Sequence, residues 1–334
     1  MAPDAYRRHK REVVEKALTR VALNQARVSE PVVSPEKSRR RAVFKFGKKK
    51  GQVVAGFHAA RSHVIVDMQE CLVLTDALLD FTVTLRRALA PILAEGEKAE
   101  VHVSETDTGL DLAFRSPRKL TPSLTTEMAK AFGGTDITRV IFNGEILLER
   151  TKPEIHFAGV TVIPPPHAFL QASRAGEAAL QARVAEMTRG AKTVVDLFAG
   201  LGTFTLTLAR HAKVLAVEQD GEALAALAEA ARKTPGLKPV TTEKRDLFKT
   251  PLTVPELNRF DAAVLDPPRA GAEAQVKLLA VSKIPRVAYV SCDAASFARD
   301  AAILVKSGFT MGDVTPVDQF LYSDHIELVA GFAR

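Results

Sequence analysis

Apolar and polar positions along this chain follow two rhythms. Through residues 1–163 they alternate in short segments broken by turn residues, the signature of strands with one face in water. Segments 42–46 and 52–57 flank Gly47-Lys48-Lys49-Lys50-Gly51, and 100–104 and 110–114 flank Thr106-Asp107-Thr108-Gly109. Segments 138–142 and 146–149 flank Asn143-Gly144, a strong hairpin turn, and 159–163 is a further strand. Between them the spacing predicts a helix over 78–93, stopped by Glu95-Gly96, and one over 121–132, ended by Gly133-Gly134. The chain opens with Val13, Val14, Ala17, Leu18 and Val21 at helical spacing among Arg7, Arg8, Lys10, Arg11, Lys16 and Arg20. That is an amphipathic helix with one packed face and one basic face. Hairpins with helices between them make residues 1–163 an α+β module.

Pro164-Pro165-Pro166 marks the boundary, and from there the rhythm changes. Strands are now continuous apolar runs, as in a parallel sheet covered on both faces, and they alternate with helices. A helix over 175–188 precedes strands 193–197, 214–217, 239–242, 262–265 and 287–290. Helices are expected at 203–210, 222–233, 272–282 and 295–306. Two last strands, near 309–315 and 326–332, are joined too closely for a crossover helix and should close as an antiparallel hairpin. Residues 164–334 therefore read as an α/β domain, a doubly wound, mostly parallel sheet whose ligands sit beyond the carboxyl ends of the strands.

Composition narrows the class. A chain of 334 residues, 46% hydrophobic and 25% charged, can build two cores. Its two cysteines, Cys71 and Cys292, lack any paired spacing, which argues against a disulfide framework or a cysteine-rich metal site and for a reducing cytoplasm. No segment has the length and apolarity of a membrane span. The net charge of +7 suits a polyanionic partner, and the Lys48-Lys49-Lys50 turn would meet phosphates or simply stand in solvent.

Chemistry collects at the strand tips. Val194-Val195-Asp196-Leu197-Phe198-Ala199-Gly200-Leu201-Gly202-Thr203-Phe204 is a strand, a glycine turn and a helix start, a nucleotide- or nucleoside-binding turn. A dinucleotide site would place a third glycine where Thr205 stands. Its absence favours a ligand without a pyrophosphate, and S-adenosylmethionine fits. Glu218, ending the next strand, can accept from a ribose diol, and Asp246 after the third strand could meet an adenine amine. Asp266-Pro267-Pro268-Arg269 holds a carboxylate stiffly at another tip. Ser291-Cys292-Asp293 puts a thiol just before a helix, whose N-terminus should favour the reactive thiolate. Glu327, opening the last strand, is either a surface carboxylate or a general base.

The set Asp-Leu-Phe-Ala-Gly-Leu-Gly-Thr-Phe, Asp-Pro-Pro-Arg, Tyr-Val-Ser-Cys and Asp-Gln-Phe…His-Ile-Glu, in this order, resembles the bacterial RNA uridine-C5 methyltransferases. Phe169-Leu170-Gln171 resembles that family's Phe-x-Gln element, and Tyr6…His9-Lys10 and residues 65–71 resemble its middle region. The resemblance implies an S-adenosylmethionine-dependent enzyme making 5-methyluridine in RNA, with Cys292 as the nucleophile on C6 and Glu327 as the base at C5. It implies cofactor contacts at Gln171, Phe198, Thr203, Glu218 and Asp266, to which the turn itself adds Gly200; substrate contacts are expected at Gln171, Asp266, Arg269 and, from the lysine turn, Lys48, Lys49 and Lys50. The target uridine must be unpaired to reach the thiol.

The family's N-terminal RNA-binding barrel is not seen ahead of the middle region, so RNA grip is expected from the basic helix and the lysine turn. Cys71 resembles one ligand of the iron–sulfur cluster found in ribosomal-RNA members; the other three are lacking, so no cluster and no metal is expected. That remnant favours 23S rRNA over the tRNA T-loop, and a monomer is expected. Competing readings are a dinucleotide oxidoreductase, an amino-methyltransferase (which would carry an aromatic residue at Arg269) and a non-catalytic RNA-binding protein. The last leaves Cys292 and Glu327 without a role.

Overall fold

The computed structural model describes residues 2–133 and 136–334, which fall into two units. Helix α1 (Pro3–Thr19) and strand β1 (Val32–Val33) open the chain. Then follow β2 (Arg41–Lys49), β3 (Gln52–His58), β4 (Ile65–Asp67), α2 (Asp76–Leu89), β5 (Lys98–Glu105), β6 (Leu110–Arg115), α3 (Pro122–Phe132), β7 (Ile137–Phe142) and β8 (Glu145–Glu149). These form a seven-stranded sheet in the order β4-β3-β2-β5-β6-β7-β8, antiparallel except where α3 crosses over between β6 and β7. Alternation puts Phe44, Phe46, Val101, Val103, Leu112 and Phe114 on one face, where they pack on Leu78, Phe81 and Leu85 of α2 and Leu124, Met128 and Phe132 of α3. Each such side chain contributes about 1.5–3 kcal/mol on burial. Thr75 and Thr121 cap the two helices through their side-chain oxygens. Helix α2 stops at Leu89, a turn earlier than residue 93, and Gly133 follows α3; Gly134 lies outside the described residues. Cys71 is partly buried against this core.

The larger unit continues with the short hairpin β9 (Ile155–Phe157) and β10 (Val160–Val162), then α4 (Arg174–Met187), β11 (Thr193–Leu197), α5 (Thr205–Leu208), β12 (Lys213–Glu218), α6 (Gly221–Lys233) and β13 (Val240–Lys244). It ends with α7 (Val254–Leu257), β14 (Ala262–Leu265), α8 (Glu273–Val281), β15 (Arg286–Ser291), α9 (Ala294–Lys306), β16 (Thr310–Met311), β17 (Thr315–Asp318) and β18 (Glu327–Ala333). The sheet order is β1-β17-β18-β15-β14-β11-β12-β13, with β16 also on β18. Strands β11 to β15 are parallel to their neighbours and β18 runs antiparallel between β15 and β17. This is the expected doubly wound sheet with an antiparallel end. The chain runs outward from β11 through β12 to β13, then returns to β14 on the other side. That reversal makes the β11–β14 crevice its ligand edge.

Four expectations need correction. The division does not fall at residue 163: residues 2–34 and Phe157–Val162 belong with Ser173–Arg334, and Ile163–Ala172 with Pro35–His156. Val14 and Leu18 of α1 are buried in the larger unit's core beside Phe297 and Val314, whereas Arg40 and Arg41 hold the carbonyls of Gln171 and Leu170. Helix 203–210 shrinks to α5, because Gly202 sits at φ +91 and keeps the turn open until Phe204; a Cβ there would lie 2.3 Å from Leu227 Cδ1. Residues 309–315 are not one strand, and the hairpin to β18 is closed mainly by β17, itself edged by the parallel β1, while the other side of β18 pairs with β15. Lys10 leaves the basic face of α1 altogether: it is fully buried.

Candidate active site

Strand direction assembles the site. The carboxyl ends of β11, β14 and β15 and the amino end of β18 lie at one edge of the sheet. The β15–β18 ladder ends at Ser291 with Leu328, so Cys292 directly follows β15 and Glu327 opens β18 at the same edge, near enough for Glu327 to act on the thiol. Cys292 is half-buried and opens into a cavity of about 310 Å³ that Lys16, Arg20, Arg269, Asp293 and His325 also line. Glu327 is buried, with Oε2 lacking a hydrogen-bond partner. An orphaned carboxylate oxygen is costly to keep without a function.

Electrostatics reverse one expectation. The Cys292 thiol is pushed up to about 11, by burial first and then by Glu327 and Asp266, with Arg269 opposing. The thiolate is therefore not favoured by the start of α9; Asp293 caps that helix by accepting from Ser296 N, and two nearby carboxylates outweigh the helix end. Glu327 rises to about 8 through burial and then Asp266, offset by a hydrogen bond from Gln319 and by Arg269. Asp266 rises to about 7 through burial and then Asp196. Asp196, fully buried, reaches about 7 by burial, although Thr205 Oγ1 donates to its Oδ2.

Two residues outside the expected set hold Glu327 and its loop. Gln319 accepts from Ser173 N at its Oε1, which turns its amide nitrogen toward Glu327. Gly176 makes room for it: a Cβ there would stand 3.0 Å from Gln319 Cβ and Oε1. Lys10 Nζ donates to Asp318 Oδ1 at 3.0 Å and to the carbonyls of Ser323 and His325 at 2.7 Å each. Tyr6 OH donates to Asp318 Oδ2, so α1 clamps the β17–β18 loop that leads into Glu327. A lysine at 10, four residues before buried Val14, was already on the packed face by helical spacing. Arg269 donates to His325 Nδ1 across the cavity mouth.

The remaining expected residues lie on other elements. Phe198 adopts φ +65 in the turn after β11, a strained conformation for a side chain of its size, and its ring meets Phe248 at 5.4 Å. Glu218 accepts from Gly200 N through Oε2 and from Gln219 N and Asp220 N through Oε1. It thereby braces the Gly200 turn. The Thr203 carbonyl accepts from Gln181. Asp246 is committed to its own turn, accepting from Phe248 N and Lys249 N and pairing with Lys249. Gln171, buried, lies in the smaller unit with Lys48, Lys49 and Lys50. Of these lysines only Lys49 and Lys50 are exposed near the turn. Lys48 extends β2 and donates to the Ala90 and Leu93 carbonyls at the end of α2, which occupies two of its three donors. Among the described residues no cluster of histidine, cysteine and carboxylate groups has a metal-site arrangement.

Comparison with known proteins decides the family. Residues 237–332 match the family described as tRNA (Uracil-5-)-methyltransferase, and 173–246 match the TRM5/TYW2 methyltransferase domain. An RNA methyltransferase of uncharacterised target from Rhizobium meliloti is 44% identical over 98% of this chain and 79% of its own length. The chain belongs to the RNA (uracil-5) methyltransferase family. Within it, the 23S rRNA (uracil(1939)-C(5))-methyltransferase RlmD of Chromohalobacter salexigens is 31% identical over 97% of this chain and 70% of its own. The Pyrococcus abyssi tRNA (uracil-54, C5)-methyltransferase, solved with S-adenosyl-L-homocysteine, is 20% identical and shares the fold, with a TM-score of 0.76 over 99% of this chain and 83% of its own. As a family member this RNA methyltransferase has its acid, thiol and turn at the edge where a class I methyltransferase sheet binds ligands.

Proposed function

We propose that this RNA methyltransferase methylates C5 of a uridine through a covalent adduct of Cys292, with Glu327 removing the C5 proton. The observation that supports the reading is that the β15–β18 ladder ends beside Cys292 and Glu327, whose buried carboxylate acts on the thiol. The Cys292 thiol loses its proton to solvent as Sγ bonds to C6 of uracil, and the displaced C5=C6 electron pair makes C5 nucleophilic. S-adenosylmethionine supplies the methyl electrophile. The open turn at Gly200, with Phe198 and Phe248 beside it and Asp196 Oδ1 orphaned beneath, suits its nucleoside and amino-acid ends. Glu327 then takes the proton from C5, the C5=C6 bond re-forms, and the C6–S bond breaks to return Cys292.

Charge orders these roles. Burial first, and then the Glu327 and Asp266 carboxylates, hold the Cys292 thiol high in the free protein. Glu327 is raised by burial and then by Asp266, with Arg269 opposing, so those neighbours set how readily its carboxylate takes the C5 proton. Gln319 keeps that carboxylate oriented. The target is read as 23S rRNA, supported by the likeness to RlmD; a tRNA loop is the alternative. RNA bearing 5-fluorouridine should trap a stable protein–RNA adduct that needs S-adenosylmethionine and disappears in Cys292→Ser. C5 methylation by Cys292→Ser at the wild-type rate would overturn the adduct. Loss of one 5-methyluridine from 23S rRNA in a deletion strain checks the target; its loss from tRNA instead selects the alternative.

A further inference from the structure

The smaller unit has one face packed on α2 and α3, and its other face carries a hollow of about 750 Å³. Pairing register explains its chemistry. Lys45 of β2 lies opposite Glu100 of β5, and Glu100 lies opposite Arg115 of β6, so the three share one cross-strand row. Lys98, two residues before Glu100, lies on the same face. Beyond β2, His58 at the end of β3 and His63 in the β3–β4 loop meet edge to face at 5.8 Å. All five line the hollow with Glu100.

Its charges do not cancel. Glu100 is the one carboxylate among the lining residues, set against Lys45, Lys98 and Arg115. Lys45 is bonded to it, and His102 Nε2 approaches its other oxygen at 3.2 Å. Arg115 is 4.0 Å away with a side chain 58% exposed, at the limit of an ion pair and worth little there. The Lys98 ammonium points from an exposed residue and takes no part in the ion pairs of the described residues. Two cations with donors to spare, beside two exposed flat rings, suit a ligand that alternates phosphates with planar bases.

We propose that this hollow seats a single-stranded segment of the RNA substrate, with phosphates on Lys98 and Arg115 and a base against the His58–His63 pair. The proposal rests on the RNA-methylating reading above and replaces the lysine turn as the smaller unit's grip. The committed geometry of Lys48 already argues for that replacement.

Anisotropy of a fluorescein-labelled single-stranded RNA, titrated across a KCl series, tests it. Lys98→Ala/Arg115→Ala should weaken binding about tenfold, two modest charge contacts together. The slope of log K against log salt should fall by about 1.4, for two lost phosphate contacts at about 0.7 each on a single strand. Glu100→Gln should act the opposite way, tightening binding about threefold by removing the opposing charge. S-adenosylmethionine affinity by calorimetry and the melting temperature check that each variant is folded. If wild type binds RNA and both variants keep its affinity and slope, or if Lys49→Ala/Lys50→Ala alone lowers the slope, the hollow is not the seat. If wild type neither binds nor methylates RNA, the functional reading falls first, and the proposal with it.

Discussion

The larger unit buries acidic groups at its strand tips, whereas the ionisable groups around the smaller unit's hollow stand nearer water. Asp196 and Glu327 are buried, and with Asp266 and the Cys292 thiol they are displaced toward their neutral forms. Lys45, Glu100 and Arg115 stand nearer water in a cross-strand row, where Lys45 pairs with Glu100 and Arg115 stays largely exposed. Burial makes protonation states responsive to what binds, as a site of chemistry requires. Exposure keeps charges fixed and cheap to hold, as recognition of a polyanion requires. The contrast can be tested from both sides.

The largest effect should come from Lys10. Its ammonium is enclosed by Asp318 and loop carbonyls, so Lys10→Met leaves a buried carboxylate and open carbonyls without their cation. Breaking such a pair costs about 3–5 kcal/mol, which urea denaturation would read as a lowered midpoint. A loss below about 1 kcal/mol would place this pair with surface ion pairs and blur the distinction between the units.

Glu327 gives the next effect, and its sign follows from the direction of its shift. Folded, it titrates near 8; unfolded, near its ordinary 4.5. Between those values the folded state binds more protons, so stability falls as pH rises from about 4.5 to 8 and is flat below. Glu327→Gln should remove that cost, raising the melting temperature on the order of 5 °C at pH 9 and hardly at all at pH 4. The same variant should accumulate the Cys292–RNA adduct, since nothing takes the C5 proton. Equal shifts at both pH values would mean that Glu327 is not a displaced acid.

These two residues also mark how far the sequence is legible. Strands β11 and β14 were readable to the residue, because a parallel strand needs continuous apolar positions and both end in sharp polar breaks. Cys292, Glu327 and Asp266 were legible as strand-tip residues. Their mutual repulsion was not, since it joins residues that only the sheet order brings together. Lys10 was misread because charge was allowed to outvote helical spacing. Lys48 continues the alternation of Phe44 and Phe46 past Gly47, so its stem follows the packed face toward the end of α2, which the charge run alone does not reveal. The β1–β17 pair spans nearly the whole chain and leaves no local pattern.

The smallest effect belongs to the smaller unit's hairpins, where two turns of one kind carry different residues. Lys50-Gly51 has φ of 53 and 78, and Asn143-Gly144 has φ of 51 and 92. Both are two-residue loops with positive φ at both positions, the geometry that Asn-Gly fits best. Lysine accepts the left-handed conformation at a cost that asparagine largely avoids. What offsets it is Glu95, whose carboxylate accepts from Lys50 N and Gly51 N and is held below its usual range by those bonds. Those are backbone donors and survive substitution, so Lys50→Asn should stabilise the protein by about 0.5 kcal/mol, the scale of a relieved turn residue. A calorimetric melt resolves that gain if the smaller unit unfolds as a separate transition. Destabilisation instead would show that the lysine side chain makes a contact the paired geometry of Glu95 does not explain, and that the exposed charges of this unit are less interchangeable than the buried ones.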